Sequence, residues 1–157
     1  MGDLESYYEN VNDKSLYGDF RFFVYPYTLK KARKDLKGII QNNKAGKNDV
    51  FVVDINGEAI GEIGLEEIKP KLRAELYYWI GKNYQGKGFI TEAIKLISKY
   101  AFKKHGLRRI EAYGRMHNKA SARVLEKSGF KREGVLRKRT LRYGKYYDDF
   151  IYAKIKN

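Results

Sequence analysis

Gln85-Gly86-Lys87-Gly88-Phe89-Ile90-Thr91-Glu92-Ala93 follows an apolar, aromatic run, Tyr77-Tyr78-Trp79-Ile80-Gly81, and opens a long amphipathic segment, Thr91 to His105. Strand, glycine-rich loop and helix start make an arrangement suited to a phosphate. Glycines let the backbone approach an anion, and the first unpaired N–H groups of the helix face it with the positive end of the macrodipole behind them. The stretch lacks the Lys-Ser/Thr pair of a P-loop. It also lacks the third glycine of a dinucleotide fingerprint, and no βαβ unit surrounds it. Alone, it is equally a left-handed turn running into a helix.

About thirty residues downstream, Glu111-Ala112-Tyr113-Gly114-Arg115-Met116-His117-Asn118-Lys119-Ala120-Ser121-Ala122-Arg123 leads to Leu125-Glu126-Lys127-Ser128-Gly129-Phe130. Together these segments resemble the GNAT acetyltransferase superfamily, in particular the branch holding the ribosomal-protein N-terminal acetyltransferases and the spermidine acetyltransferases. Its acetyl-CoA loop, Gln/Arg-x-x-Gly-x-Gly/Ala, is matched by Gln85 and Gly88, with Ile90 where a small residue is usual. Asn118, Ser121, Gly129, Phe130, Glu133 and Gly134 match the branch in order and spacing. Tyr143-Gly144-Lys145-Tyr146-Tyr147-Asp148-Asp149 is similar to its last hairpin, and Tyr25-Pro26-Tyr27-Thr28-Leu29 to its approach to the second helix. The resemblance covers roughly residues 20 to 155.

At 157 residues one domain, 1–157, is the expectation, with length enough for a real core. No run of about eighteen apolar residues suggests a membrane span. No signal peptide opens the chain, and zero cysteines exclude a disulfide framework or a thiolate metal site. His105 and His117 are too few and too far apart for a metal site, and read as surface or strand-end residues. Met1-Gly2-Asp3-Leu4-Glu5-Ser6 formally fits a myristoylation pattern, but its two acids make chance the better reading. A cytoplasmic enzyme is the expectation.

Charge divides the chain. Residues 1–81 hold 12 Lys/Arg and 13 Asp/Glu, a net of −1, whereas residues 82–157 hold 21 and 6, a net of +15. The resemblance implies coenzyme A, whose phosphates a basic field would steer and hold. One cofactor hardly needs so much charge, so an acidic macromolecule or the ribosome is a second candidate partner. A lysine-rich solubilising surface, with 22 Lys against 11 Arg, is the plain alternative.

Asp3 to Val11 predicts a short helix with Leu4, Tyr7, Tyr8 and Val11 on one face. Thr28 is the expected N-cap of a helix to about Asn42, with Leu29, Ala32, Leu36, Ile39 and Ile40 inward. Val50–Ile55 and Glu58–Leu65 read as strands joined by a type I′ turn at Asn56-Gly57, and a third strand spans Arg73–Ile80. In the helix after the loop, Ala93, Leu96, Ile97, Tyr100 and Ala101 are expected inside, Lys95, Lys99 and Lys103 outside, and Gly106 at the end. A strand over Arg109–Arg115, a helix over Ala120–Lys127 closed by Ser128-Gly129, and a long hairpin over Phe130–Ile155 turning near Tyr143-Gly144 complete the reading. The fold class is therefore α+β, a GNAT-like mixed but mostly antiparallel sheet flanked by helices. The family begins with a strand before its first helix. Only two residues precede Asp3, so that edge strand is missing or the true start lies upstream. The exposed edge is expected to be covered by the N-terminal segment or by a partner chain, a homodimer.

The resemblance implies direct acetyl transfer from acetyl-CoA to an amine in a ternary complex, without a metal. Backbone N–H groups of Gln85, Gly86, Lys87, Gly88, Phe89 and Ile90 would hold the pyrophosphate, helped by the side chains of Lys87 and Thr91. Trp79, Ile80 and Gly81 occupy the stretch whose backbone meets pantetheine and thioester. Many relatives protonate the leaving thiolate with a tyrosine where this chain has Leu125; Ser121 matches the donor proposed in the ribosomal-protein branch. Asn118 is the matching cofactor-binding or positioning residue. For the base, Glu75 and Glu62 are both available on strands, and no feature of the sequence selects between them; Glu75 is carried as the candidate. A lysine amine near pKa 10.4 needs a strong base, whereas an α-amine near 7.7–8.0 does not. The expected acceptor is a protein N-terminus, with a ribosomal protein as the candidate the same resemblance implies. The rivals are a polyamine or other small amine, and a non-catalytic basic module binding RNA or the ribosome through Arg137-Lys138-Arg139-Thr140-Leu141-Arg142 and the tyrosines beside it.

Overall fold

Alternating side chains, three short turns and two helical crossings lay six strands into one sheet, with helices on both faces. The structure is a computed structural model and describes residues 3–17 and 26–156. Elements follow the order α1 Asp3–Val11, α2 Lys14–Tyr17, α3 Leu29–Lys44, β1 Asp49–Ile55, β2 Glu58–Lys69 and β3 Arg73–Ile80. After a 3-10 turn at Lys82–Tyr84 come α4 Phe89–Lys104, β4 Arg109–Arg115, α5 Lys119–Lys127, β5 Lys131–Arg142 and β6 Lys145–Ile155. Sheet order is β1-β2-β3-β4-β6-β5, antiparallel except where β3 and β4 run parallel. Met1, Gly2 and Tyr25, which belong to stretches quoted above, lie outside the described residues.

The local signals work as chemistry requires. Thr28 accepts a hydrogen bond from the Lys31 N–H and caps α3. Asn56 and Gly57 both take positive φ, 55° and 83°, as a type I′ turn demands. β2 runs on to Lys69, beyond the expected Leu65, because Glu66 and Lys69 still find partners on β3 across a bulge.

In α4 the buried residues are Ile90, Ile94, Ile97, Ser98 and Ala101, while Leu96 is 63% exposed and Ala93 and Tyr100 are only half-buried. Apolar residues surround much of this helix, so their spacing alone leaves its rotation ambiguous. Its start at Phe89, rather than Thr91, follows from the left-handed turn at Gly88. In α3, Ala32 is buried but Leu29 and Ile40 are exposed. That helix covers one end of the sheet and needs only a narrow apolar stripe.

Two cores result. One joins β2, β3, β4 and β6 to α4 and α5 through Ile63, Leu76, Ile94, Ile97, Ile110 and Leu125. Each fully buried aliphatic side chain contributes about 1.5–3 kcal/mol. The other lies on the opposite face, where α1 brings Tyr7 and Val11 against Trp79 and Ala59. Tyr7 meets the Trp79 indole edge-on at 5.2 Å. Among the described residues no strand precedes α1, and β1 is one edge of the sheet, β5 the other. Part of the β1 edge is closed from within the chain: the Asn43 amide of α3 accepts from the Val50 N–H and donates to the Val50 carbonyl.

Candidate active site

Parallel pairing between β3 and β4 ends at Leu76 and Ala112. Beyond it, β3 continues with β2 to Ile80, and β4 continues with β6 to Arg115, so the two central strands part. Antiparallel neighbours alternate between hydrogen-bonded and non-bonded pairs. The Gly81 N–H donates to the Ile60 carbonyl at 2.8 Å, so by alternation Trp79 also turns its N–H toward β2. Tyr78 and Ile80 then face the gap. Among Trp79, Ile80 and Gly81, the Ile80 N–H points to the gap and the Gly81 N–H is bonded to Ile60; the Tyr78 N–H points to the gap as well.

A cleft of about 730 Å³ passes through this gap from one sheet face to the other. On the α4/α5 side it is lined by Gln85, Gly86, Ile90, Asn118 and Ser121, and on the α1/α2 side by Glu75, Tyr77, Tyr113, Arg139 and Asp149. Trp79 and Ile80 contribute to the wall, yet their side chains are buried in the two cores. Lys87, Gly88, Phe89 and Thr91 stand outside the lining, around the turn that starts α4. Gly86 and Gly88 hold φ of 75° and 88°, and a Cβ built on either meets nothing within 4 Å. Backbone freedom, not crowding by the protein, explains glycine at both positions. Gly88 is the N-cap of α4 without a capping side chain, which leaves the first-turn N–H groups available to an anion.

Asn118 and Ser121 lie at the start of α5. The Asn118 side-chain oxygen accepts from the Ser121 N–H at 2.9 Å, an N-cap bond that fixes the turn carrying the serine. Asn118 therefore positions Ser121. Ser121 Oγ in turn lies 2.7 Å from the Tyr78 hydroxyl, which reaches across from β3. Leu125, where many relatives have a tyrosine, is fully buried.

The structure separates the two carboxylates that the sequence left equal. Glu75 lines the cleft. Glu62 is buried on the α1 face, where the hydroxyls of Tyr7 and Tyr77 donate to it at 2.7 and 3.0 Å. Burial pushes its carboxyl above the usual carboxylate range, against the opposing pull of the two phenols. It joins α1 to the sheet and is not a lining group.

Charged side chains from β4, β5 and β6 build one wall. The Arg115 guanidinium donates to Asp149 at 3.1 Å, both groups being buried, while Arg139 and Thr140 donate to the other Asp149 oxygen at 3.3 and 2.6 Å. Arg139 also lies 3.9 Å above the Tyr113 ring. Such a pair adds little net stability, but removing one partner strands a buried charge and costs about 3–5 kcal/mol. Asp149 was visible in the sequence only as the end of the Tyr143–Asp149 hairpin; its arginine partners come from other strands.

Neither histidine faces the cleft. His105 is half-buried beside Asp49, whose carboxyl is held below its usual range: burial opposes this, but the bonds from His105 and Lys104 outweigh it. His117 is exposed. No group of three or more His, Cys, Asp or Glu side chains suited to a metal occurs among the described residues, and no described helix is long and apolar enough to cross a membrane.

Comparison with known proteins places this geometry in context. A family model described as "Acetyltransferase (GNAT) domain" matches residues 1–131. An uncharacterized N-acetyltransferase, YnaD, of Bacillus subtilis (strain 168) is 32% identical over 124 residues, covering 78% of this chain and 73% of that protein. The ribosomal-protein-serine acetyltransferase of Escherichia coli (strain K12) is 30% identical over 125 residues, covering 79% and 70%. The spermidine N(1)-acetyltransferase of the same strain is 37% identical over 87 residues, covering 55% of this chain and 47% of that protein. Among solved structures, a ribosomal L7/L12 α-N-protein acetyltransferase in complex with coenzyme A shares the fold, with a TM-score of 0.87, 23% identity and coverage of 97% of this chain and 88% of that one. A microcin C7 self-immunity acetyltransferase in complex with acetyl-CoA and AMP superposes with a TM-score of 0.86 and 25% identity, covering 98% and 87%.

Proposed function

Because the chain belongs to the GNAT acetyltransferase family, an N-acetyltransferase family drawing on acetyl-CoA, we propose that its acceptor is a protein N-terminal α-amine, presented by a ribosomal protein. The observation that carries this is the cleft itself, lined from both sheet faces at the point where β3 and β4 part. Donor and acceptor can enter from opposite sides and meet in the gap, as direct transfer requires.

The residues fit acetyl-CoA. The uncapped start of α4 and the open, left-handed Gly86 and Gly88 suit the pyrophosphate, with Lys87 and Thr91 beside them. N–H groups of Tyr78 and Ile80 face the gap, where a donor to the developing oxyanion lowers the barrier by roughly 2.7–4 kcal/mol. Ser121 supplies the proton for the departing sulfur. Glu75 receives the proton released by the amine. A modest base suffices for an α-amine, which is about 2.5 pKa units less basic than a lysine. Arg139, still 32% exposed at the cleft wall, favours acidic residues behind the acceptor terminus. The same reading places the enzyme in the cytoplasm as one domain over the whole chain.

A polyamine acceptor has its own support. Glu75, in the cleft lining, stands in register between Glu66 on β2 and Glu111 on β4, the last ion-paired with Arg73 and Arg109, and the spermidine enzyme is among the relatives. An acceptor panel decides between them. Peptides beginning with Ala, Ser or Met followed by acidic residues, spermidine, and peptides with a blocked α-amine are offered with acetyl-CoA and read by mass spectrometry. The α-amine reading expects product from the free peptides and none from the blocked ones. A higher kcat/KM for spermidine than for every peptide replaces it with the polyamine reading. Calorimetry with acetyl-CoA alone tests the enzyme against the non-catalytic basic module, since a module needs no thioester site.

A further inference from the structure

We propose that Tyr78 is a positioning residue for Ser121: its phenol donates to the serine Oγ and leaves the serine's own proton to point into the cleft. The inference rests on the reading of Ser121 as the proton donor, and it assigns a task to a side chain that neither motif nor composition singled out.

The geometry is specific. The Tyr78 hydroxyl lies 2.7 Å from Ser121 Oγ, and its one proton has the Ser121 carbonyl as a second, longer acceptor at 3.3 Å; among the described residues these are its partners. Position alone allows either hydroxyl of the pair to donate. Chemistry favours the tyrosine, because a phenol is the more acidic hydroxyl and an alkanol oxygen the better acceptor. A serine that accepts from Tyr78 cannot direct its own hydrogen along the same axis. Its remaining directions are limited further, since the Asn118 cap holds the Ser121 backbone in the first turn of α5. Ser121 lines the cleft, so the freed proton has the cleft to point into.

Burial supports the same assignment. The Tyr78 ring packs against the core between the sheet and the α4/α5 layer. That burial pushes its phenol well above the ordinary tyrosine range, partly offset by the bond to Ser121. It therefore stays protonated at neutral and mildly alkaline pH. Tyr78 is half-buried and also lines the cleft, but a proton passed on from it would leave a phenolate against the apolar core, so the tyrosine orients and does not itself give its proton away.

The step balances without a further reagent. The amine nitrogen bonds to the thioester carbon, and its surplus proton goes to Glu75. As the C–S bond breaks, Ser121 gives its proton to the sulfur; Glu75 then releases the amine's proton to water, which reprotonates Ser121, so both groups are restored and the products are the amide and the free thiol. Throughout, the Tyr78 hydrogen bond supports the serine oxygen while negative charge gathers on it, and such charge-assisted bonds are shorter and stronger than neutral ones.

Tyr78→Phe removes only the hydroxyl and keeps the ring in the core. Single-turnover rates, KM for acetyl-CoA and thermal unfolding are measured for the parent, Tyr78→Phe, Ser121→Ala and the double variant, with whichever acceptor of the panel turns over fastest. The expected result is a kcat about tenfold or more below the parent for Tyr78→Phe, with KM for acetyl-CoA within about twofold. In the Ser121→Ala background the same substitution should have no further effect, because the group it positions is gone. A purely structural tyrosine would instead slow both backgrounds equally, and that outcome overturns the proposal. So does a parental rate in Tyr78→Phe while Ser121→Ala is slow. Should Ser121→Ala itself turn over at the parental rate, the reading of the serine fails first and the role of Tyr78 goes with it.

Discussion

Replacing Gly88 by valine separates what the loop does for the fold from what it does for the ligand. At this position the backbone has φ 88° and ψ −9°, a conformation L-residues seldom adopt, and β-branched ones least of all. A Cβ here meets no protein atom within 4 Å, so no steric clash adds to the backbone strain. Strain of this kind costs about 1–3 kcal/mol. For a chain of 157 residues each kcal/mol lowers Tm by about 2–4 °C, giving a fall of roughly 2–12 °C. Gly88→Ala, with a smaller side chain in the same backbone, should fall at the lower end. The effect on acetyl-CoA is expected to be larger than the strain explains. A branched side chain beside the first N–H groups of α4 hinders the close approach that a pyrophosphate needs. Isothermal calorimetry at about 25 °C, well below either Tm, should show at least tenfold weaker binding for the valine variant, and binding of the parent should weaken as salt rises. Parental affinity in a variant whose Tm has dropped as calculated would refute the loop assignment, because the substitution would then have reached the backbone and not the ligand.

Glu62→Gln tests the division between the two carboxylates. The folded-state carboxyl of Glu62 titrates above its unfolded value, so its contribution is fully present below the unfolded pKa and declines as pH rises through the folded one. The parent should therefore lose Tm relative to Glu62→Gln as pH rises above the unfolded-state value of about 4.3, with the acetylation rate per folded molecule little changed; a large loss of rate would return Glu62 to the list of bases. Glu75→Gln should do the opposite, lowering kcat with a small change in Tm, and unaltered turnover would remove it from the mechanism. Leu125→Tyr, which restores the hydroxyl common among relatives, must place a ring at a position that is 0% exposed. Overpacking of about 1–3 kcal/mol is expected from melting curves, without rescue of Ser121→Ala; recovery of rate would mean that this part of α5 can shift.

Much of this protein was legible in the chain alone because the deciding signals are local. A two-residue Asn56-Gly57 turn, the Thr28 cap, glycines at 86 and 88 and the Ser128-Gly129 stop act within one turn of backbone, and each is found in place. β3 and β4 were placed with their observed ends, since short turns bound them. The ordered Gln85, Gly88, Asn118 and Ser121 carried the family. Side-chain partnerships across elements were not legible. Glu62 and Glu75 are alike as strand carboxylates; only the arrival of Tyr7 from α1, 55 residues away, makes one a buried anchor and leaves the other in the cleft. Tyr78 and Ser121 are 43 residues apart and meet because β3 and α5 pack on the same core. The rotation of α4 likewise depended on which of its many apolar residues the sheet could accept. Periodicity records that a face is apolar, whereas the face that is buried, and the polar atoms that meet across it, are set by the simultaneous packing of elements distant in the chain.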